Sequence, residues 1–225
     1  MANTMLDRFL EKSTFTSQED FQNNFAYDVM DKWAEETPER LALLWCNDKG
    51  IERRFTFEDI RRESNKVASY LISLGIEKGD AVMLILKRRY QFWLTMLALH
   101  KIGAVAIPAS FLLTKKDIVY RSNNADIKAI ITCGDEEVLS SVNQAYDECK
   151  TLKYRISIGP IVPEGWEDYK KGVAAAPEYK GERKTESSDY SLMYFTSGTS
   201  GQPKMVVHDY TYPLGHIGTA AHWHN

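Results

Sequence analysis

Between Ala81 and Ile158 apolar and amphipathic runs alternate at intervals that few folds accommodate. Ala81-Val-Met-Leu-Ile-Leu86 is apolar on both faces, the pattern of a strand buried inside a parallel sheet. Tyr90 to Lys101 reads as a helix with Gly103 behind it, and Ala104-Val-Ala-Ile107 as the next strand, stopped by Pro108. Thr114 and Asp117, three apart, open a polar helix to about Asn124, followed by the strand Ile127-Lys-Ala-Ile-Ile-Thr132. Asp135 to Cys149 carries Val138, Val142 and Tyr146 on one helical face, and Leu152 to Ile158 reads as a last strand. Strand and helix alternating with connections of this length predict an α/β fold: a mostly parallel sheet with helices on both faces, joined by right-handed crossovers. A chain of 225 residues with 44% hydrophobic content is large enough to bury the core this requires.

Upstream, Phe25, Val29 and Trp33 recur at helical spacing with Met30 and Ala34, which predicts an amphipathic helix over about 25–36, core-facing along that stripe and ended by Thr37-Pro38. Leu41–Cys46 and Ile51–Phe57 flank the polar turn Asn47-Asp-Lys-Gly50 as a hairpin. Thr56 and Asp59 resemble a capping box, and Gly75 closes the helix that follows. Residues 159–189, with Pro160, Pro163, Pro177 and Ala174-Ala-Ala176, read as an irregular connection containing a short helix around Trp166 to Gly172.

Function is most constrained by Tyr194-Phe-Thr-Ser-Gly-Thr-Ser-Gly-Gln-Pro-Lys-Met-Val-Val207. Leu192 to Phe195 and Met205 to Val207 read as strands around a loop of small, hydroxylated and turn-forming residues. Thr196, Ser197, Thr199 and Ser200 offer hydroxyls, Gly198 and Gly201 let the backbone approach a ligand, Gln202 and Pro203 lead out, and Lys204 supplies a mobile point charge. Consecutive backbone N–H groups in such a turn form an anion-binding concavity, so the pattern suits phosphate. A Ser/Gly string alone would read as a flexible surface turn, but proline and lysine at these offsets between two apolar strands argue against that. It is not a Walker A loop, which places lysine directly after the second glycine and opens a helix; here Gln202-Pro203 intervene and Met205-Val-Val207 follows.

Thr196-Ser-Gly-Thr-Ser-Gly-Gln-Pro-Lys204 resembles, without a departure, the phosphate loop of the adenylate-forming (AMP-binding) superfamily: acyl-CoA synthetases, luciferases and peptide-synthetase adenylation domains. The helix from Thr56 to Gly75, the Ala81 to Pro108 stretch and the loop follow in the order seen in acyl-CoA synthetases, and Lys204 to His216 looks most like the bacterial acetyl- and medium-chain branch. The resemblance implies an acid–thiol ligase that uses MgATP to form an acyl-adenylate and then acylates coenzyme A. Thr196, Ser197, Gly198, Thr199, Ser200, Gly201, Gln202, Pro203 and Lys204 would hold the ATP phosphates. It also implies that adenine, ribose and magnesium sites and a C-terminal lid lie beyond Asn225, so that no catalytic residue falls within this chain and the chain is an incomplete N-terminal AMP-binding domain, inactive alone. The expected division is 1–20 as an N-terminal segment, 21–158 as the α/β scaffold, 159–189 as the connection, and 190–225 as the phosphate loop with the start of a helix near Tyr212-Pro213. A non-catalytic nucleotide- or partner-binding module, and an adenylation domain serving a carrier protein, are the alternatives.

Other features yield less. His216, His222 and His224 do not read as a metal site, because positions two apart on a helix do not share a face and no carboxylate or cysteine cluster accompanies them. His216 could still face a ligand near the phosphate loop. Lys87-Arg-Arg89 reads as a solvated turn at the carboxyl end of a strand, where phosphate or a pantetheine carrier could also lie. Cys46, Cys133 and Cys149 lack paired spacing and read as buried free thiols. A net charge of −3 supplies no field for nucleic acid. The charged first twenty residues do not read as a signal peptide, and the longest apolar run is too short to span a bilayer, so a cytoplasmic protein without a membrane span is expected.

Overall fold

The computed structural model describes residues 24–197, 201–216 and 219. Its centre is a seven-stranded sheet in the order β7-β6-β5-β3-β4-β8-β9. The strands are β3 (Ala81–Ile85), β4 (Val105–Pro108), β5 (Ile127–Thr132), β6 (Tyr154–Ser157), β7 (Glu167–Asp168), β8 (Tyr190–Thr196) and β9 (Lys204–Asp209). Neighbours are parallel throughout except β8 and β9, which are antiparallel. A separate two-stranded antiparallel sheet is the predicted hairpin, β1 (Leu41–Cys46) with β2 (Glu52–Thr56).

Alternate side chains of β3 enter two different cores, as the doubly apolar pattern requires. Val82 and Leu84 pack with α2 (Phe57–Ser73), α3 (Gln91–Ile102) and α6 (Tyr169–Ala175), while Ala81, Met83 and Ile85 pack with α4 (Lys115–Asn124) and α5 (Glu136–Ala145). Burying a side chain of this size stabilises by about 1.5–3 kcal/mol, so helices on one face alone would forfeit half of that along every central strand. Both capping boxes form: Thr56 and Thr114 each accept from the backbone N–H three residues on, and Asp59 and Asp117 accept in return from the cap N–H. Gly103 ends α3 at φ 78°, a backbone conformation that L side chains rarely adopt.

Four local expectations change. A π-helical turn, Ala26–Asp31, precedes α1 (Lys32–Glu36), and its wider period rotates the predicted stripe. Ala26 is buried together with the predicted Ala34, while Phe25 and Trp33 are each 36% exposed, Trp33 lying against the Phe57 ring. Cys133 and Cys149 are buried thiols, but Cys46 is exposed at the end of β1, whose two-stranded sheet covers only part of its surface. The 159–189 connection contains an edge strand, β7, too short for periodicity to reveal, and its helix begins at Tyr169, capped by Asp168. Near Tyr212-Pro213 the chain forms a 3-10 turn, Tyr212–His216.

The end of α3 concentrates buried polar groups. The His100 carbonyl accepts from Asn24 Nδ2 at 2.6 Å and from the Tyr210 hydroxyl at 3.1 Å. Both ring nitrogens of His100 are shut from solvent and unpartnered among the described residues, and burial lowers its pKa to about 4. A depressed folded-state pKa contributes stability above the unfolded value, near 6.5, that is lost as pH falls toward 4. The protein is accordingly expected to lose about 2 kcal/mol of unfolding free energy between pH 7 and pH 5 through this group. Urea titrations of His100→Leu at both pH values should show a shallower dependence than the unsubstituted protein; equal dependences would contradict it.

Candidate phosphate-binding loop

β8 runs parallel to β4, with Leu192 beside Ala106, so the turn after β8 emerges at the carboxyl edge of the parallel strands. That edge is where open α/β sheets gather ligands. β9 returns antiparallel, with Thr196 opposite Lys204 and Phe195 opposite Met205. The two limbs of the predicted loop are therefore fixed in register by the ladder. Gly198, Thr199 and Ser200, three of the predicted phosphate ligands, lie outside the described residues, as do His222 and His224.

The remaining loop residues are brought together in a form that suits an anion. Thr196 and Ser197 are exposed, with the Thr196 hydroxyl 3.5 Å from the Lys204 carbonyl, a long contact that leaves it able to turn toward a ligand. Gly201 has φ 83°, and no atom lies within 4 Å of where a Cβ would stand, so the backbone is open on that side. Gln202 is exposed and Pro203 half-buried. Lys204 is exposed and has no ion-pair partner among the described residues. The two limbs of the turn thus carry an exposed lysine, exposed hydroxyls and an open glycine backbone, groups of the kind that donate to anions.

Beside the exit of the loop, an open cleft of about 370 Å³ separates Gln202 and Pro203 from Lys115, Lys116, Asp117 and Tyr120 on α4. The Tyr120 hydroxyl donates to the Pro203 carbonyl at 3.0 Å. Hydrogen bonds from the Thr114 side chain and backbone hold the Asp117 carboxyl below its ordinary pKa, so it is committed to capping α4. Among the described residues no group of three or more His, Cys, Asp or Glu could hold a metal ion.

The other predicted positions lie apart from the loop. Lys87 follows β3 at φ 49° and pairs with Asp135, with Arg89 at 3.7 Å from the same carboxylate. Lys87 holds the Asp135 carboxyl well below the usual range, so the basic turn is internally neutralised in part. β9 extends to Asp209, about 17 Å of strand away from Lys204, and beyond it His216 meets the Tyr212 ring edge-on, while Tyr212 lies tilted against His208 with ring centroids 3.9 Å apart. Tyr120 and Arg121, which touch both limbs of the loop, carry no signal in the sequence that separates them from other residues of a polar helix.

A model of the AMP-binding enzyme family matches residues 30–222. The chain belongs to this family. Rat (Rattus norvegicus) acyl-coenzyme A synthetase ACSM5, mitochondrial, is 36% identical over 204 residues, 87% of this chain and 35% of that protein. Human (Homo sapiens) acyl-coenzyme A synthetase ACSM2A, mitochondrial, is 36% identical over 194 residues, 84% of this chain and 33% of that protein. The chain thus spans about a third of the length of these AMP-binding relatives. Among solved structures, the anthranilate CoA ligase AuaEII in complex with anthranoyl-AMP superposes with a TM-score of 0.80 at 23% identity, covering 92% of this chain and 38% of that one, a likeness of fold. No helix among the described residues is long and apolar enough to cross a membrane.

Proposed function

We propose that this chain supplies the ATP-phosphate grip of an acid–thiol ligase that activates a carboxylic acid as its acyl-adenylate and transfers the acyl group to coenzyme A. The observation that carries the reading is Lys204, an exposed and unpaired cation at the exit of a hydroxyl- and glycine-rich turn on the ligand edge of the sheet. Membership of the AMP-binding family supports it. In the first step the substrate carboxylate attacks the α-phosphorus of ATP, and the bond to the bridging oxygen breaks, leaving its electron pair on pyrophosphate. In the second, the thiol of coenzyme A forms the thioester bond, AMP leaves with the electrons of the mixed-anhydride bond, and the thiol proton passes to solvent.

Within that reaction the residues of this chain position and neutralise. Lys204 pairs with the departing β- and γ-phosphates, Thr196, Ser197, Thr199 and Ser200 donate hydroxyls, Gly198 and Gly201 admit close backbone approach, and Gln202 and Pro203 aim the lysine. Preorganised donors of this kind stabilise charge as it develops on a leaving group. The loop residues fit phosphate and offer no carboxylate, so magnesium arrives with the nucleotide. Because the chain spans about a third of its relatives, the 225 residues alone are proposed not to turn over. The compartment is proposed as cytoplasmic, although the named relatives are mitochondrial; fractionation decides it.

The test is pyrophosphate release from ATP by the protein that contains this chain, across a panel of aliphatic and aromatic acids. Release that needs an acid, with AMP and thioester formed when coenzyme A is added, is expected. ATP binding without acid-dependent release would replace the proposal with a non-catalytic nucleotide-binding module, and transfer only to a carrier-protein thiol would remove coenzyme A from it.

A further inference from the structure

We propose that Tyr120 and Arg121, neighbours on α4, are positioning residues that hold the two limbs of the β8–β9 turn and thereby fix where Lys204 points; the inference rests on the phosphate-binding role proposed for that turn. β9 is the terminal strand of the sheet, with β8 as its one neighbour among the described residues. Strand pairing therefore restrains Lys204, its first residue, from one side. α4 supplies the other side. The Tyr120 hydroxyl donates to the Pro203 carbonyl at 3.0 Å, one residue before Lys204. Proline has no N–H, so this carbonyl is the one backbone polar group through which Pro203 itself can be tied down.

The same two residues reach the outgoing limb. The Tyr120 ring meets Phe195 edge-on, with centroids 6.4 Å apart, and the Arg121 guanidinium lies 5.3 Å from the centre of the Phe195 ring. Phe195 stands opposite Met205 in the ladder, immediately before Thr196. Arg121 is itself fixed: its side chain is 13% exposed and donates to the Asp117 carbonyl at 3.2 Å, with the Asp117 carboxylate at 3.4 Å. Asp117 is locked to Thr114 by the capping box. A rigid path thus runs from the start of α4 to both ends of the turn. Aromatic packing at Phe195 sets the outgoing limb, and one hydrogen bond at Pro203 sets the return. Positioning of this kind matters because a cation displaced by an ångström loses much of its effect on a developing charge.

Tyr120→Phe keeps the ring against Phe195 and removes only the hydroxyl. In the protein containing this chain, it is expected to raise the KM for ATP about three- to ten-fold, the effect of one lost hydrogen bond, with the KM for the acid and the melting temperature unchanged. Amide exchange at Lys204 to Val206 should quicken while β3 to β5 keep their protection. Lys204→Ala, measured beside it, separates the two claims. If Lys204→Ala leaves the ATP KM unchanged, the phosphate role of the turn falls. If Lys204→Ala raises it but Tyr120→Phe does not, or exchange at Lys204 to Val206 is unaltered, the brace is overturned. A lower melting temperature with both KM values rising together would make Tyr120 merely structural and overturn it as well.

Discussion

Lys204→Ala is expected to weaken binding of ATP and of inorganic tripolyphosphate by about 10- to 100-fold, the range set by loss of one charge-assisted contact to phosphate. Its melting temperature without ligand should not move, because Lys204 is exposed and makes no ion pair among the described residues. The two probes are chosen to report the same contact. Tripolyphosphate carries the charge of the nucleotide tail without base or sugar, so comparable losses for both place the lysine on phosphate. A loss for ATP alone would move Lys204 away from the phosphates. Lys204→Arg should recover part of the binding, since it restores the charge but replaces a compact ammonium by a broader planar group. Raising the salt concentration should narrow the difference between Lys204→Ala and the unsubstituted protein, as an exposed cation is screened over roughly 10 Å at 0.1 M. Isothermal calorimetry at two salt concentrations checks each of these outcomes. Equal affinities for Lys204→Ala and the unsubstituted protein would remove the central residue of the proposed site.

Much of this architecture is legible in the sequence because it rests on short-range rules. β3 is apolar on both faces since both faces are covered, and Thr56/Asp59 and Thr114/Asp117 announce helix starts through chemistry confined to four residues. The strands on either side of the loop are legible for a similar reason, as two apolar runs interrupted by glycine and proline mark where β8 ends and β9 begins. What the sequence withholds is phase and tertiary partnership. One π-helical turn at Ala26–Asp31 brings Ala26 to the core beside the predicted Ala34 and leaves Phe25 and Trp33 partly exposed. β7 is two residues long and exists through its pairing with β6, which no periodicity reports. His216 is in contact with the Tyr212 ring, and Tyr212 with His208 of β9, a partnership that sequence spacing does not report. Tyr120 lies 83 residues from Pro203, and only the folding of α4 against the β8–β9 turn makes them neighbours.

The largest stability effect is expected from Asp31→Ala. The Lys101 ammonium, with a side chain 0% exposed, sits 2.8 Å from Asp31 Oδ1 and 2.7 Å from the side-chain amide oxygen of Asn65. Removing the carboxylate leaves a buried cation with one neutral partner, which costs about 3–5 kcal/mol. Lys101→Met should cost less, because Asp31 is 17% exposed and can keep contact with water. Burial pushes the Asp31 carboxyl up despite the ammonium beside it, and pushes Lys101 down despite the carboxylate. Both directions say that desolvation outweighs the mutual attraction. A carboxyl raised on folding gives stability that is lost as pH rises, and a depressed ammonium gives stability that is lost as pH falls, so near neutrality both ions weigh against the fold. The double replacement Asp31→Leu with Lys101→Met should therefore be far less destabilised than the sum of its parts, and close to the unsubstituted protein. Asp31→Ala should also recover stability as pH rises, since the isolated Lys101 can then shed its proton. Urea titrations of the two single variants and the double variant, at pH 7 and pH 9, give the coupling directly. Additive losses would mean that the pair is not a unit, and that the π-helical turn is held to α3 by its other contacts instead.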